Sequence, residues 1–146
     1  MITIIQRVSS ATVSVNDAPI GQINQGILAL VAIEKQDDEA HAERLLQRLL
    51  NYRIFSDSND RMNLSLKQIN GGLLLVPQFT LAADTDSGNR PSFTPAASPE
   101  RGKKMFNYLV TTAKQQYPTV ETGFFGADMQ VSLTNNGPVT FTLRTK

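Results

Sequence analysis

The chain has 146 residues, with 14 lysines and arginines against 13 aspartates and glutamates, and its formal net charge is +1. Hydrophobic residues make up 40%, charged residues 18%, and cysteine is absent. This balance predicts one domain, residues 1–146, with a sizeable core. It excludes disulfides, a thiol nucleophile and a cysteine metal site, and any contact with nucleic acid must depend on a local basic patch.

The N-terminus gives no sign of export or membrane insertion. The first residues, MITIIQRVSS, lack a basic start followed by a long apolar core, and no later apolar run approaches membrane-spanning length. We therefore expect a cytoplasmic protein.

The first third of the chain predicts strands followed by a helix. Residues 2–15 alternate like one long strand whose phase changes once, which predicts a bulge or a bend near Ser9-Ser10. A short strand follows, and the continuous apolar run at 27–33 is typical of a strand covered on both faces. Asp37 or Asp38 can cap a helix with an apolar stripe at helical spacing, formed by Ala42, Leu45, Leu46, Leu49 and Leu50.

The middle of the chain predicts shorter strands and a second helix. A strand begins at Ile54, residues 62–66 alternate like another, and residues 73–76 read as a buried strand. Residues 83–97 form a polar loop, after which Ser98 caps a helix with Pro99 at its first position. The fold class is therefore α+β, with a mostly antiparallel or mixed sheet, or partial barrel, and two helices.

The string TNNGPVTF, residues 134–141, stands between two alternating runs at 127–134 and 139–144. A tight hairpin on Asn136-Gly137 would need the N–H of residue 138, which Pro138 lacks. Its register would also set Leu133 opposite Thr140 and join an apolar face to a polar one. We expect a wider loop or a connection between non-adjacent strands, with main-chain groups that the sheet does not use.

Few side chains indicate a catalytic centre. The single histidine, His41, falls on the charged side of the first helix, so no Ser-His-Asp arrangement can be built. Asp57, Asn59 and Asp60 resemble the start of a calcium loop that lacks its glycine and closing glutamate, and a polar turn is favoured. Arg101, Lys103 and Lys104 form a small basic cluster, which is usually a solvated surface but could also contact RNA.

The stretch Val76-Pro77-Gln78-Phe79-Thr80-Leu81 indicates a strand that is interrupted. Proline is rare in central strands, so Pro77 predicts an edge or a broken ladder. The N–H groups of Gln78, Phe79 and Thr80 would then be free, and two adjacent N–H groups can form an oxyanion hole. A plain strand end with a bulge is the alternative.

Several motifs together resemble those of the bacterial D-tyrosyl-tRNA deacylase type of D-aminoacyl-tRNA deacylase. They are IQRVS at 5–9, YRIFSD at 52–57, MNL at 62–64, QFTLAADT at 78–85, RPSF at 90–93, GADMQVSL at 126–133 and GPVT at 137–140. Two positions depart from the family pattern. Pro77 replaces a serine, which removes a hydroxyl and an N–H beside the expected oxyanion site, and Asn136 replaces an aspartate with little effect expected.

The resemblance implies a homodimeric esterase that removes D-amino acids from the terminal adenosine of tRNA, without cofactor or metal. It implies that Gln78, Phe79 and Thr80 lie at the ester as catalytic residues. It also implies that a cis Gly137-Pro138 peptide, held by Arg7, reaches into the partner subunit's pocket and excludes L-residues. Met129 is expected in the substrate pocket, and glycyl-tRNA is expected as a further substrate.

Two other classes remain open. A non-catalytic RNA-binding module would need only the shape and the basic patch. A dimeric scaffold protein would use exposed strand edges and bind no RNA.

Overall fold

The computed structural model describes all residues, 1–146. Its strands are β1 (Ile2–Val15), β2 (Ala18–Ile23), β3 (Gly26–Ala32), β4 (Phe55–Ser56), β5 (Met62–Leu64), β6 (Gly72–Pro77), β7 (Val120–Thr122) and β8 (Gln130–Arg144). Its α-helices are α1 (Glu39–Asn51), α2 (Leu66–Ile69) and α3 (Pro99–Gln116), and a 3-10 helix spans Phe79–Ala82.

Strand β1 is the centre of the main sheet. Its first half pairs with β3, its second half pairs with β2, and β8 runs along its other edge, all antiparallel. β3 and β6 are parallel, as are β6 and β7, so the order is β2-β1-β3-β6-β7 with β8 beside β1. β2 comes close to β7, because a side chain added at Gly21 would lie 2.7 Å from the carbonyl oxygen of Thr122. The sheet is therefore mixed and nearly closed, as the α+β prediction expected.

The core lies on both faces of this sheet. On one face a cluster of 23 buried residues joins the sheet to α1 and α3, and Leu46 and Leu109 are fully buried in it. On the other face a smaller cluster fills the inside of the curved sheet; it contains Val8, Ala11, Val13, Ile23, Leu28, Leu74 and Val76. β3 and β6 are thus buried on both faces, which confirms the interpretation of their continuous apolar runs.

Both expected helices begin where their caps predicted. The Asp38 side chain accepts from the N–H of His41 at the start of α1, and Ser98 accepts from the N–H of Arg101 at the start of α3. The prediction of only two helices is wrong. Residues 62–66 were expected to form one strand, but Ser65 and Gln68 make a capping box that begins the one-turn helix α2. No helix in the structure is both long and apolar enough to cross a membrane.

The expectation of two strands joined by a loop near the C-terminus is also wrong. The two alternating runs belong to the single strand β8, which pairs with β1 on both sides of the proline. Gln6 pairs with Thr140 and Val8 pairs with Asn135, so residues 136–139 bulge out of the ladder opposite Arg7 alone. The residues on either side of the bulge both pair with β1, so both runs keep the alternation of a strand. The bulge predicted in β1 near Ser9-Ser10 is confirmed by a register shift between Val8 and Ser10.

The β3–β6 pair supports the end of the sheet where the candidate site lies, and it needs glycine at Gly26. A Cβ there would overlap the carbonyl oxygen of Gly72 and lie 2.7 Å from its nitrogen. Main-chain atoms inside a ladder cannot rotate away, so we expect Gly26→Ala to lower the free energy of unfolding by about 1–3 kcal/mol or more.

Urea denaturation of the two proteins measures this difference. The control is Gly88→Ala, where nothing lies within 4 Å and only the positive φ of 70° opposes a side chain; its expected cost is about 1 kcal/mol. Wild-type stability in Gly26→Ala would show that the two strands can separate to admit a methyl group.

Candidate active site

A cleft of about 470 Å³ opens beside the carboxyl ends of the parallel strands β3 and β6. Val31 and Pro77 contribute from these strands, Pro99 and Gly102 from the start of α3, and residues 125–129 and 131 from the segment that leads into and begins β8. In open parallel sheets, ligands bind outside the carboxyl ends of the strands, where loops and helix starts converge, and this cleft has the same position relative to β3 and β6. The lining is mostly apolar, so a few polar groups must orient a substrate.

The chain turns from β6 into the 3-10 helix at the edge of the cleft. The N–H of Gln78 donates to the carbonyl oxygen of Val31 at 2.7 Å and adds a final bond to the β3–β6 ladder. The expectation that this N–H is free is therefore wrong. Phe79 and Thr80 are the first two residues of the 3-10 helix, where N–H groups have no helical acceptor. Two adjacent donors thus remain for an oxyanion hole.

Pro77 fits the strand without the loss of a ladder bond. The N–H of Gln78 faces β3, so the nitrogen of Pro77 faces the opposite side, toward β7. There the pairing with β7 ends at Leu75 and Thr122, and the N–H of Gly123 donates to the carbonyl oxygen of Leu75 at 2.8 Å. Pro77 lies one step beyond this last rung. The broken ladder that the proline predicted is confirmed, and it lies on the β7 side only.

The hydroxyl of Thr80 has no base beside it. The side-chain amide of Gln78 contacts it, with Nε2 and Oγ1 2.5 Å apart. An amide cannot take up a proton near neutral pH, whichever way its nitrogen and oxygen are assigned. Thr80 is exposed and does not line the cleft, whereas Gln78 and Phe79 do. This arrangement suits Thr80 as a main-chain donor better than as a nucleophile.

Met129 and two phenylalanines border the cleft. Met129 lines it, and its sulfur accepts a hydrogen bond from the N–H of Phe124 at 3.3 Å. The Phe79 side chain is 55% exposed, and its ring centroid lies 5.1 Å from that of Phe93 in the polar loop at 83–97. The rim therefore presents aromatic surface on the side of the 3-10 helix.

The bulge at residues 136–139 is held by two side chains. Arg7 donates from Nε to the carbonyl oxygen of Asn136 at 2.9 Å and from a terminal nitrogen to that of Ile54 at 2.8 Å. The Asn135 side chain accepts from the N–H of Val139 at 2.8 Å. The contact expected between Arg7 and the loop is observed. The Gly137-Pro138 peptide bond is cis, which confirms that expectation.

Glycine is needed at the tip of this bulge. Gly137 has a φ of 141°, and a Cβ there would lie 2.7 Å from a methyl carbon of Val139. Gly137 and Pro138 are both exposed, and neither they nor Arg7 lines the cleft of their own chain. The structure therefore brings Gln78, Phe79 and Met129 together, with Thr80 adjacent, and leaves the bulge elsewhere on the surface.

His41 caps the helix in which it lies. Its Nδ1 is 2.6 Å from the carboxylate of Asp38. His41 does not line the cleft. The N–H and ring of His41 hydrogen-bond to Asp38, and these bonds hold the pKa of that carboxyl below its ordinary value. The interpretation of His41 as a helix-surface residue is confirmed.

The two other polar clusters singled out in the sequence, at Asp57 and at Arg101, lie outside the cleft. The carboxylate of Asp57 accepts from the N–H groups of Arg61 and Asn59, which lowers its pKa and closes a polar turn, as favoured from the sequence. In the basic cluster, Arg101 donates to the carbonyl oxygen of Asp37 at 2.6 Å, whereas Lys103 and Lys104 are exposed and form no ion pair.

Sequence reasoning missed part of the cleft wall. Asp128 is the one ionisable side chain that lines the cleft, and Phe125 and Gly102 also line it, close against each other. The GADMQVSL motif contained Asp128, but only its place before β8 brings it to the cleft. Gly102 stands in the basic cluster, where nothing in the sequence distinguishes a cleft residue from a surface one.

Comparisons with known proteins agree on one family. The family model described as D-Tyr-tRNA(Tyr) deacylase matches residues 4–144. A D-aminoacyl-tRNA deacylase of Cupriavidus metallidurans is 58% identical, over 99% of this chain and 96% of the relative. One of the same name from Paraburkholderia phytofirmans is 59% identical, over 99% of both chains.

Solved structures agree with the fold. The c-Myc DNA Unwinding Element Binding Protein superimposes with a TM-score of 0.96 at 32% identity, covering 100% of this chain and 99% of that one. A probable eukaryotic D-amino acid tRNA deacylase gives 0.85 at 14% identity, covering 99% and 98%, which speaks for the fold alone. The resemblance drawn from the motifs is confirmed: the chain belongs to the D-Tyr-tRNA(Tyr) deacylase family.

Proposed function

We propose that residues 1–146 form one enzyme domain that hydrolyses the ester between a D-amino acid and the terminal adenosine of tRNA. The products are the free D-amino acid and tRNA. The enzyme thereby edits mischarged tRNA in the cytoplasm. One observation carries the proposal: two adjacent unpartnered N–H groups stand beside the cleft in a chain that is 58% identical, end to end, to a D-aminoacyl-tRNA deacylase. No cofactor or metal is assigned a role.

The N–H groups of Phe79 and Thr80 supply the catalysis in this proposal. When water attacks the ester carbonyl, negative charge develops on its oxygen, and one correctly placed donor is typically worth about 2.7–4 kcal/mol of barrier. The bond from the carbonyl carbon to the ribose oxygen then breaks, and that oxygen takes up a proton. Since Thr80 has only an amide beside it, the ribose hydroxyl next to the ester is the group that orients the water.

The Gly137-Pro138 bulge supplies the chiral selection. Its main-chain carbonyl oxygens hold the substrate ammonium, and the wall it forms leaves room for a D side chain but collides with an L side chain. Only main-chain atoms take part, so selection acts on the configuration at Cα and hardly on the type of side chain. Glycine has no side chain to collide, so glycyl-tRNA is a substrate as well.

The bulge must act on the cleft of a second copy. Neither Gly137 nor Pro138 lines the cleft of its own chain, and both are exposed. A symmetric dimer gives each bulge to the opposite cleft, since a two-fold interface is reciprocal. The unpaired edge of β8 beside the bulge is available for such an interface.

The activity is tested with matched D- and L-tyrosyl-tRNA and with glycyl-tRNA. We expect the D and glycyl esters to be cleaved and the L ester to be spared. Gly137→Ala should slow cleavage of the D ester by about 100-fold, because a shift of the bulge by 1 Å misplaces the ammonium. Asn136→Asp, which restores the family residue, is the matched control and should behave like the wild type. Comparable cleavage of the D and L esters would refute the chiral selection. Binding of the tRNA without cleavage would refute the enzymatic activity and favour a non-catalytic RNA-binding module.

The shared site is tested by mixing two defective chains. Ala127→Trp fills the cleft but keeps the bulge, and Gly137→Ala keeps the cleft but displaces the bulge. A dimer of one of each contains one intact site, so we expect the mixture, after unfolding and refolding together, to recover up to about a quarter of wild-type turnover at equal ratio. Separately refolded proteins, mixed afterwards, give the baseline. No recovery above that baseline, or an active 16.0 kDa monomer in light scattering, would contradict the proposal.

The absence of a side-chain nucleophile is tested in single-turnover assays. Thr80→Ala should retain most of the activity, because its N–H remains and only its hydroxyl is lost. Asp128→Asn should do so too, because Asp128 is the only carboxylate of the cleft and the proposed mechanism uses no carboxylate. A substrate ending in 2′-deoxyadenosine, charged on its 3′ oxygen, should be cleaved far more slowly. Abolished turnover in Thr80→Ala with normal cleavage of the deoxy substrate would make Thr80 the nucleophile.

A further inference from the structure

A second hollow of about 170 Å³ adjoins the cleft. It lies between α3 and the segment that follows β7, and Phe106 and Phe125 line both cavities. A single water molecule accounts for about 30 Å³ of liquid, so the hollow has room for a larger group.

The wall between the two cavities is fixed. Gly102 has no side chain, and a Cβ at this position would lie 3.1 Å from the tip of the Phe125 ring. The same ring packs on Phe106, with centroids 6.4 Å apart. A ligand that passes from one cavity to the other must therefore cross over Phe125.

The mouth of the hollow carries three chemically different groups. The Phe124 side chain is 64% exposed, more than any other large hydrophobic residue of the chain. Lys103 is exposed and has no carboxylate partner, and Asn107 is exposed and makes no hydrogen bond through its amide. An aromatic face, a cation and an amide are the groups that bind an unpaired nucleotide through stacking, its phosphate and its base edge.

We propose that this hollow binds the penultimate nucleotide of the tRNA 3′ end. Its base stacks on Phe124 with Asn107 at the base edge, and the phosphate that joins it to the terminal adenosine lies at Lys103. The inference rests on the proposed function, because a terminal adenosine whose ester lies in the cleft must extend its strand across a neighbouring wall. The hollow on the other side of Phe125 adjoins the cleft, and the unpaired Lys103 at its mouth can bind a phosphate.

Two minimal substrates isolate the subsite: D-tyrosyl adenosine, and the D-tyrosyl ester of the dinucleotide CpA. The wild type should show a KM about tenfold lower for the dinucleotide, because base stacking on an exposed aromatic ring is sequence-tolerant and favourable. Phe124→Ala and Lys103→Gln should each raise the KM of the dinucleotide ester several-fold and leave both kcat and the KM of the adenosine ester unchanged. Lys103→Gln should also reduce the slope of log KM against log salt concentration by about 0.7, the value of one single-strand phosphate contact.

The matched controls are Lys114→Gln at the far end of α3 and Ile20→Ala on β2. Both side chains are exposed and lie outside the hollow, and neither substitution should change any KM. Equal wild-type KM values for the two esters, or equal losses for both esters in the variants, would overturn the inference. So would a change of oligomeric state in Phe124→Ala, which would assign this ring to a protein interface.

A direct binding assay separates this inference from the proposed function. Unesterified CpA and adenosine are titrated against each protein, with fluorescence anisotropy of labelled CpA as the readout. Tighter binding of CpA than of adenosine that is lost in Phe124→Ala and Lys103→Gln supports the subsite even if no ester is cleaved. Ester cleavage without any preference for CpA overturns the subsite and leaves the proposed function intact.

Discussion

The hydrogen bond from the N–H of Gln78 to the carbonyl of Val31 fixes the geometry of the site. It extends the β3–β6 ladder by one rung past Pro77, so the direction of the chain as it enters the 3-10 helix is set by the core of the sheet. The N–H groups of Phe79 and Thr80 follow immediately from that anchored point. Main-chain groups that follow a rigid strand are positioned more precisely than those in a free loop.

The proposed main-chain recognition would explain why the site holds so few ionisable side chains. Asp128 is the only one among the residues of the cleft, and the hydroxyl of Thr80 is matched with an amide. A mostly apolar lining lowers the local dielectric constant and so strengthens the effect of each dipole that points into the cleft. Chemistry of this kind depends on how the backbone is held. Arg7 and Asn135 hold the bulge, and Gly26 permits the close pairing of β3 and β6, so these residues support the backbone although none of them lines the cleft.

The sequence allowed correct prediction of the longer elements, where a periodic pattern and a cap agreed. β3 was recognisable because it is apolar on both faces, and α1 and α3 because Asp38 and Ser98 are caps. β8 could not be recognised as one strand. A large bulge and an inter-strand loop both leave alternating runs on either side, and only the register of β1 distinguishes them. The three-residue strand β7 and the one-turn helix α2 are too short for a periodic pattern. The motifs located Gln78, Phe79, Thr80 and Arg7, but Asp128 and Phe125 reach the cleft only through tertiary packing.

The placement of the bulge within a single strand has a mechanical consequence. Residues 136–139 leave the ladder and return to it within the space of one residue of β1, so both ends are anchored to the same partner strand. The hydrogen bonds from Arg7 to the carbonyl oxygen of Asn136 and from the N–H of Val139 to the Asn135 side chain restrain the bulge further, so it has little freedom to move as a lid. The conformational entropy of the bulge is lost when the protein folds and is not lost again when a ligand arrives. If the bulge selects substrates as proposed, it does so as a rigid template, which rejects a wrong shape on encounter and needs no closing motion.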